Sequence, residues 1–219
     1  GGYADKGVLA GGGSSLVYPV EGNAVPDLEP KIWPGPIMYY PSAPVTELRR
    51  LLPGASITFV DGTDAAQAAA AARDADVAIV FANRWEGEAF DVPLGLPDNQ
   101  DALIRAVADA NAKTVVVLQS GGPVLTPWAG KVGALLAAWF PGSGGGAAIA
   151  RVLTGQVNPS GRLPVSFPRS ASQLPRPEAP AKGDVVYREG ELVGYKWYQS
   201  RRETPAFPFG YGLSYTEFG

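Results

Sequence analysis

Val77-Ala78-Ile79-Val80-Phe81-Ala82-Asn83-Arg84-Trp85-Glu86-Gly87-Glu88-Ala89-Phe90-Asp91 is an apolar run that ends in a loop holding one tryptophan and three carboxylates. Asp74 and Asp76 precede the run and polarity returns at Asn83, which predicts a fully buried strand over 77–82. In open α/β sheets, ligands collect in the crevice beyond the carboxyl ends of such strands, where this loop falls. A carboxyl beside an indole can have its pKa raised by desolvation, as suits a general acid. The loop is therefore the expected chemical centre of the chain.

Working outward, 45–52 reads as a short helix with Pro44 near its first turn and Pro53-Gly54 ending it. Residues 56–60 alternate like a strand. Asp64 can cap an alanine-rich helix running to about Arg73. The clearest amphipathic helix is 98–110, with Leu103, Ile104, Val107 and Ala108 as its apolar stripe and Asp98 and Asp101 near its start. Further strands are expected at 114–118 and 134–139, and a helix at 144–153. Strands alternating with helices imply parallel pairing through right-handed crossovers. Residues 1–44 read mostly as loop, with Gly11-Gly12-Gly13-Ser14-Ser15 as a tight backbone turn. An α/β domain over 1–167 is expected, followed by an irregular, aromatic-rich extension over 168–219. That extension is too apolar for a solvated tail and is expected to pack on the same domain.

Composition narrows the chemistry. The net charge is −3 and the basic residues are scattered, which argues against nucleic acid as a partner. No apolar stretch is long enough to span a bilayer. Cysteine and histidine are both absent, so there is no thiolate nucleophile, disulfide, imidazole metal ligand or Ser-His-Asp triad. Proton transfer falls to Asp, Glu, Lys or Tyr. No cofactor and no metal are called for.

Three readings of the acidic loop stand side by side. It can be a set of solvated acids after a strand, a hard-cation site built from Glu86, Glu88 and Asp91, or an acid/base centre. The spacing matches no EF-hand loop. The run Gly142-Ser143-Gly144-Gly145-Gly146 lacks a following Lys-Ser/Thr, and close strand-to-helix packing explains it better than a phosphate cradle. Trp128, Trp139 and Trp197 read as core or interface residues. Ser120 has nothing to activate it as a nucleophile.

Longer motifs then come into view. Leu96-Pro97-Asp98-Asn99-Gln100-Asp101-Ala102-Leu103-Ile104, Thr114-Val115-Val116-Val117-Leu118, Pro127-Trp128 and Trp139-Phe140-Pro141-Gly142 occur in that order. Gly155-Gln156-Val157-Asn158-Pro159-Ser160-Gly161-Arg162-Leu163-Pro164 and Phe209-Gly210-Tyr211-Gly212-Leu213-Ser214-Tyr215-Thr216 complete the set. Together they resemble the C-terminal α/β sandwich domain of glycoside hydrolase family 3, the β-glucosidase and β-xylosidase family.

The resemblance implies a six-stranded, mostly parallel sheet between helices. It also implies a partner: an N-terminal TIM-like barrel, lying outside this sequence, that supplies an aspartate nucleophile. The substrate it implies is a β-glucoside or related oligosaccharide, and the location periplasmic or secreted in a bacterium. Glu88 takes the place of the family's acid/base glutamate, with Glu86 in reserve. Trp85 and Phe90 are expected to line the aglycone side, and Asp91 to hold the loop by hydrogen bonds. Ala89 stands where glycine is usual and Val92 where arginine often follows the aspartate. The chain alone is expected to be inactive. The rival expectation is a non-catalytic carbohydrate-binding or structural module.

Overall fold

The computed structural model describes residues 4–14, 16, 23–24, 32–177, 183–184 and 186–216. Two units are present. The first comprises 1–92, 96–122 and 128–157, and the second comprises 93–95, 123–127 and 158–219.

In the first unit, β4 (Ala78–Arg84), β5 (Thr114–Ser120) and β6 (Ala134–Ala137) form a parallel sheet in that order. Ala78 lies opposite Thr114 and Arg84 opposite Ser120, so the carboxyl ends of β4 and β5 are level. Three short strands, β1 (Val8–Ala10), β2 (Asn23–Ala24) and β3 (Met38–Tyr40), make a separate antiparallel sheet in the order β1-β3-β2. The six-stranded sheet expected from the resemblance is thus, among the described residues, a parallel sheet of three and an antiparallel sheet of three. The predicted strand at 56–60 has no regular secondary structure, although Ile57 and Phe59 still pack on the core. Alternation placed its apolar residues inward without giving the backbone a place in the ladder.

The helices follow the sequence closely. Helix α1 (Pro44–Leu51) has proline in its first turn, where the missing N–H is not needed, and buries Pro44, Val45 and Leu48. Helix α2 (Ala65–Arg73) is capped by Asp64, whose carboxylate accepts from the Ala66 and Gln67 N–H groups at 2.8 and 3.1 Å. Helix α3 (Gln100–Ala110) begins two residues later than expected, because Asp98 has φ of 58° and cannot join it. Asn111 at its end donates to the Ala72 carbonyl in the last turn of α2 and to the Ala75 carbonyl just beyond it, and so ties the two helices together.

Helix α4 (Gly145–Leu153) packs on α1, and α2 packs on α3. A Cβ at Gly146 would lie 2.1 Å from the Ser42 carbonyl oxygen, so the glycine run serves close packing. Val8, Val45, Phe81, Val117 and Ile149 form one core cluster. Side chains alternate across a strand, which sends Val116 and Leu118 to the opposite face, where α3 meets β5.

The second unit contains helix α5 (Tyr195–Arg201) and a bridge between Phe167 and Phe207, whose rings meet edge to face. Tyr187, Val193, Leu213 and Tyr215 are each more than half exposed, so the aromatic extension is less covered than its composition suggests. No helix among the described residues is long and apolar enough to cross a membrane.

Candidate active site

Strand β4 runs two residues past its predicted end, because β5 continues alongside it, with Asn83 opposite Gln119 and Arg84 opposite Ser120, while Gln100 braces Asn83 from the other edge. Its carboxamide accepts from the Asn83 N–H at 2.9 Å and donates to the Asn83 carbonyl at 2.8 Å, imitating a neighbouring strand at the open edge. Arg84 is consequently the last residue of the strand, and only 4% of it is exposed. Its guanidinium grips Glu86, with Nε at 2.8 Å from Oε1 and a second contact through Nη2. The same oxygen accepts the Gly122 N–H at 3.1 Å. Glu86 therefore latches the loop after β4 to the loop after β5, with its Oε1 held by three donors.

Removing Arg84 would leave Glu86 with one backbone donor. Arg84→Met is expected to destabilise the chain by about 2–3 kcal/mol, because a largely buried charge loses its partner. Urea denaturation should show it, and the added substitution Glu86→Leu should recover part of the loss.

Glu88 sits differently. It is exposed, and Oε2 accepts two hydrogen bonds from Ser14: the backbone N–H at 2.8 Å and the hydroxyl at 2.6 Å. These hold its carboxyl below the ordinary value, the hydroxyl most strongly, then the N–H, against a weaker opposing effect of burial. The expected rise is thus reversed. Trp85 does stand in the loop, but its ring packs edge to face with Phe90 at 5.5 Å, and the Glu88 side chain is exposed.

The N-terminal glycine turn shapes the loop. Gly12 donates its N–H to the Glu86 carbonyl at 3.0 Å and accepts the Glu88 N–H at 3.2 Å, while the Gly13 N–H donates to the Pro34 carbonyl at 2.9 Å. A Cβ at Gly12 would meet the Pro34 carbonyl oxygen at 2.2 Å and the Trp85 ring at 2.5 Å. The strap is glycine because it threads between two walls. Phe140 lies against Gly11 and Gly121.

Asp91, expected to fix the loop, makes no hydrogen bond among the described residues; Gly12 does that work. Ala89 adopts φ of 55°, the left-handed conformation for which glycine is the usual occupant. Among the described residues, no three acidic side chains converge on a point that could hold a metal ion. The Trp85 Nε1 is buried without a hydrogen-bond partner.

Sequence reasoning picked out Glu86, Glu88, Trp85 and Phe90, and the structure gathers them in one loop at the carboxyl end of β4. It missed Arg84 and Ser14. The only signal for Ser14 was the glycine turn, which reads locally as a loop with no stated destination.

An acidic loop of this kind, at the end of a parallel strand in a chain without imidazole or thiol, points to carboxyl chemistry. Residues 1–215 match the glycosyl hydrolase family 3 C-terminal domain, and the chain belongs to that family. Its relatives include the β-glucosidase of Rhizobium radiobacter, 44% identical over 163 residues, a match covering 70% of this chain and 20% of that protein. Thermostable β-glucosidase B of Acetivibrio thermocellus is 46% identical over 158 residues, covering 69% of this chain and 21% of that one.

Among solved structures, DesR, a β-glucosidase from Streptomyces venezuelae in complex with D-glucose, matches with a TM-score of 0.65 at 46% identity. That match covers 70% of this chain and 20% of DesR. The β-D-glucoside glucohydrolase of Trichoderma reesei matches with a TM-score of 0.76 at 31% identity, over 81% of this chain and 27% of that one. The chain spans about a fifth of the length of the curated relatives it matches.

Proposed function

We propose that this domain carries the acid/base residue of a retaining, exo-acting β-glucosidase, and that the residue is Glu88. The observation that carries the reading is the asymmetry of its carboxyl group. Oε2 is held by Ser14, whereas Oε1 has no hydrogen bond among the described residues and belongs to an exposed side chain at the carboxyl-end rim of the sheet. Glu86 is the weaker candidate, because its Oε1 is tied up in an ion pair with the buried Arg84 and by the Gly122 N–H, and its side chain is less exposed than that of Glu88.

Retaining hydrolysis needs two carboxyl groups flanking the glycosidic bond. In the first step a carboxylate of another domain attacks the anomeric carbon, the bond to the aglycone oxygen breaks, and the Glu88 proton passes to that oxygen. In the second, Glu88 as carboxylate takes a proton from water, which displaces the enzyme ester and releases the sugar. Trp85 and Phe90 would flank the aglycone. Without the other carboxylate the chain by itself is inactive. The exposed side chains of Tyr187, Val193, Leu213 and Tyr215 suit burial against the remainder of such an enzyme.

One observation favours the rival, a non-catalytic module: Glu88 is held ionised in this chain, whereas the first step needs it protonated. Desolvation by bound sugar and a second carboxylate close by both push in the required direction. Chemical rescue separates the readings. In the full-length enzyme, Glu88→Ala should regain rate with an activated aryl glucoside when azide is added, and the product should be the β-glycosyl azide. Absence of that product would leave the non-catalytic reading in place.

A further inference from the structure

We infer that Ser14 is a positioning residue for Glu88: its two donors keep Oε2 an acceptor and so reserve Oε1 as the oxygen that carries and delivers the proton. This rests on the reading of Glu88 as the acid/base.

A carboxylate oxygen offers two in-plane lone pairs, and here the Ser14 N–H and O–H are placed to take both, at 2.8 and 2.6 Å. The N–H cannot turn round to accept, so a proton on Oε2 would face a fixed donor. Protonation therefore goes to Oε1. The serine itself is aimed by its neighbours. Gly13 has φ of +113°, and a Cβ there would lie 2.5 Å from the Glu88 Cβ. The Glu88 backbone is pinned in turn by its N–H bond to the Gly12 carbonyl. Position 14 thus meets position 88 through a turn that only glycine makes comfortably.

Ser14 also stabilises the ionised carboxyl, which is the form needed when water attacks the enzyme ester. No charged side chain contributes to that shift. Glu86, the nearest acid in sequence, is turned towards Arg84 and Gly122. Removing the hydroxyl raises the Glu88 pKa, so the acid form survives to higher pH.

The experiment compares Ser14→Ala and Ser14→Thr with the unaltered full-length enzyme, with azide rescue of Glu88→Ala as a control. The alkaline limb of kcat/KM, which reports the essential acid of the free enzyme, should move to higher pH in Ser14→Ala and return in Ser14→Thr. At the optimum, kcat/KM for an alkyl glucoside should fall by about two- to tenfold, the scale of one lost hydrogen bond. A purely structural role would lower the rate without moving the limb. If rescue succeeds and the limb stays in place, the inference about Ser14 is overturned while Glu88 keeps its role. If rescue fails, both fall together.

Discussion

Glu88→Gln in the full-length enzyme should lower kcat/KM for an alkyl glucoside by about 10²–10⁴-fold, the usual contribution of a positioned general acid. The amide is nearly the same shape, and its oxygen can still accept from Ser14, so the loop should keep its conformation. What disappears is the proton. An alkoxide is a poor leaving group and needs that proton as the bond breaks, whereas a dinitrophenolate departs without it. The loss should therefore shrink sharply for a dinitrophenyl glucoside, and a burst of dinitrophenol should precede slow turnover as the enzyme ester accumulates. An equal loss on both substrates would point to a damaged loop. An alkyl glucoside turned over at the normal rate would remove Glu88 from the mechanism.

The second large effect concerns stability. Trp128 is fully buried, and its Nε1 donates to the Asp101 carboxylate at 2.7 Å, in the first turn of α3. Trp128→Ala should cost about 3–5 kcal/mol, combining lost transfer free energy with a cavity the surroundings only partly fill. Trp128→Phe keeps most of the ring volume and gives up the hydrogen bond, so about 1–2 kcal/mol is expected. Denaturant midpoints of the two variants decide between packing and hydrogen bonding. Equal losses would mean that the hydrogen bond dominates.

The contrast between Trp128 and Trp85 shows how far sequence reading reached. Both indoles follow or flank strands, and the pattern put Trp128 in the core and Trp85 in the acidic loop. Helices α1 to α4 were legible because caps, proline and apolar spacing are local signals. Strand β4 was legible up to Ala82. Its last two residues were not, since they depend on pairing with Gln119 and Ser120 of β5, and Asn83 also on a side-chain amide seventeen positions further on.

The sheet was legible in its parallel core and not in its extent. Residues 56–60 have a strand's alternation, but pairing is a property of neighbours. In the loop, Glu88 was singled out from the sequence, and its electrostatic setting is the reverse of the one expected. Proximity to tryptophan in sequence suggested desolvation, and no local rule places the hydroxyl of Ser14 against a carboxylate 74 residues away. Arg84 was hidden for a similar reason: a cation at the end of an apolar run reads as a solvated terminus until its partner is seen.

The Gly12 strap has an implication for how the domain comes apart. It joins the loop through a few backbone hydrogen bonds across a very long stretch of chain, and closing such a circuit is entropically dear. The parallel ladder and its helices form from nearer neighbours and bury far more apolar surface. Warming should therefore release the strap while the sheet persists. Amide protons at Gly12 and Glu88 would then exchange ahead of those in β5, and the hold of Ser14 on Glu88 would be lost at temperatures where circular dichroism still reports a folded protein.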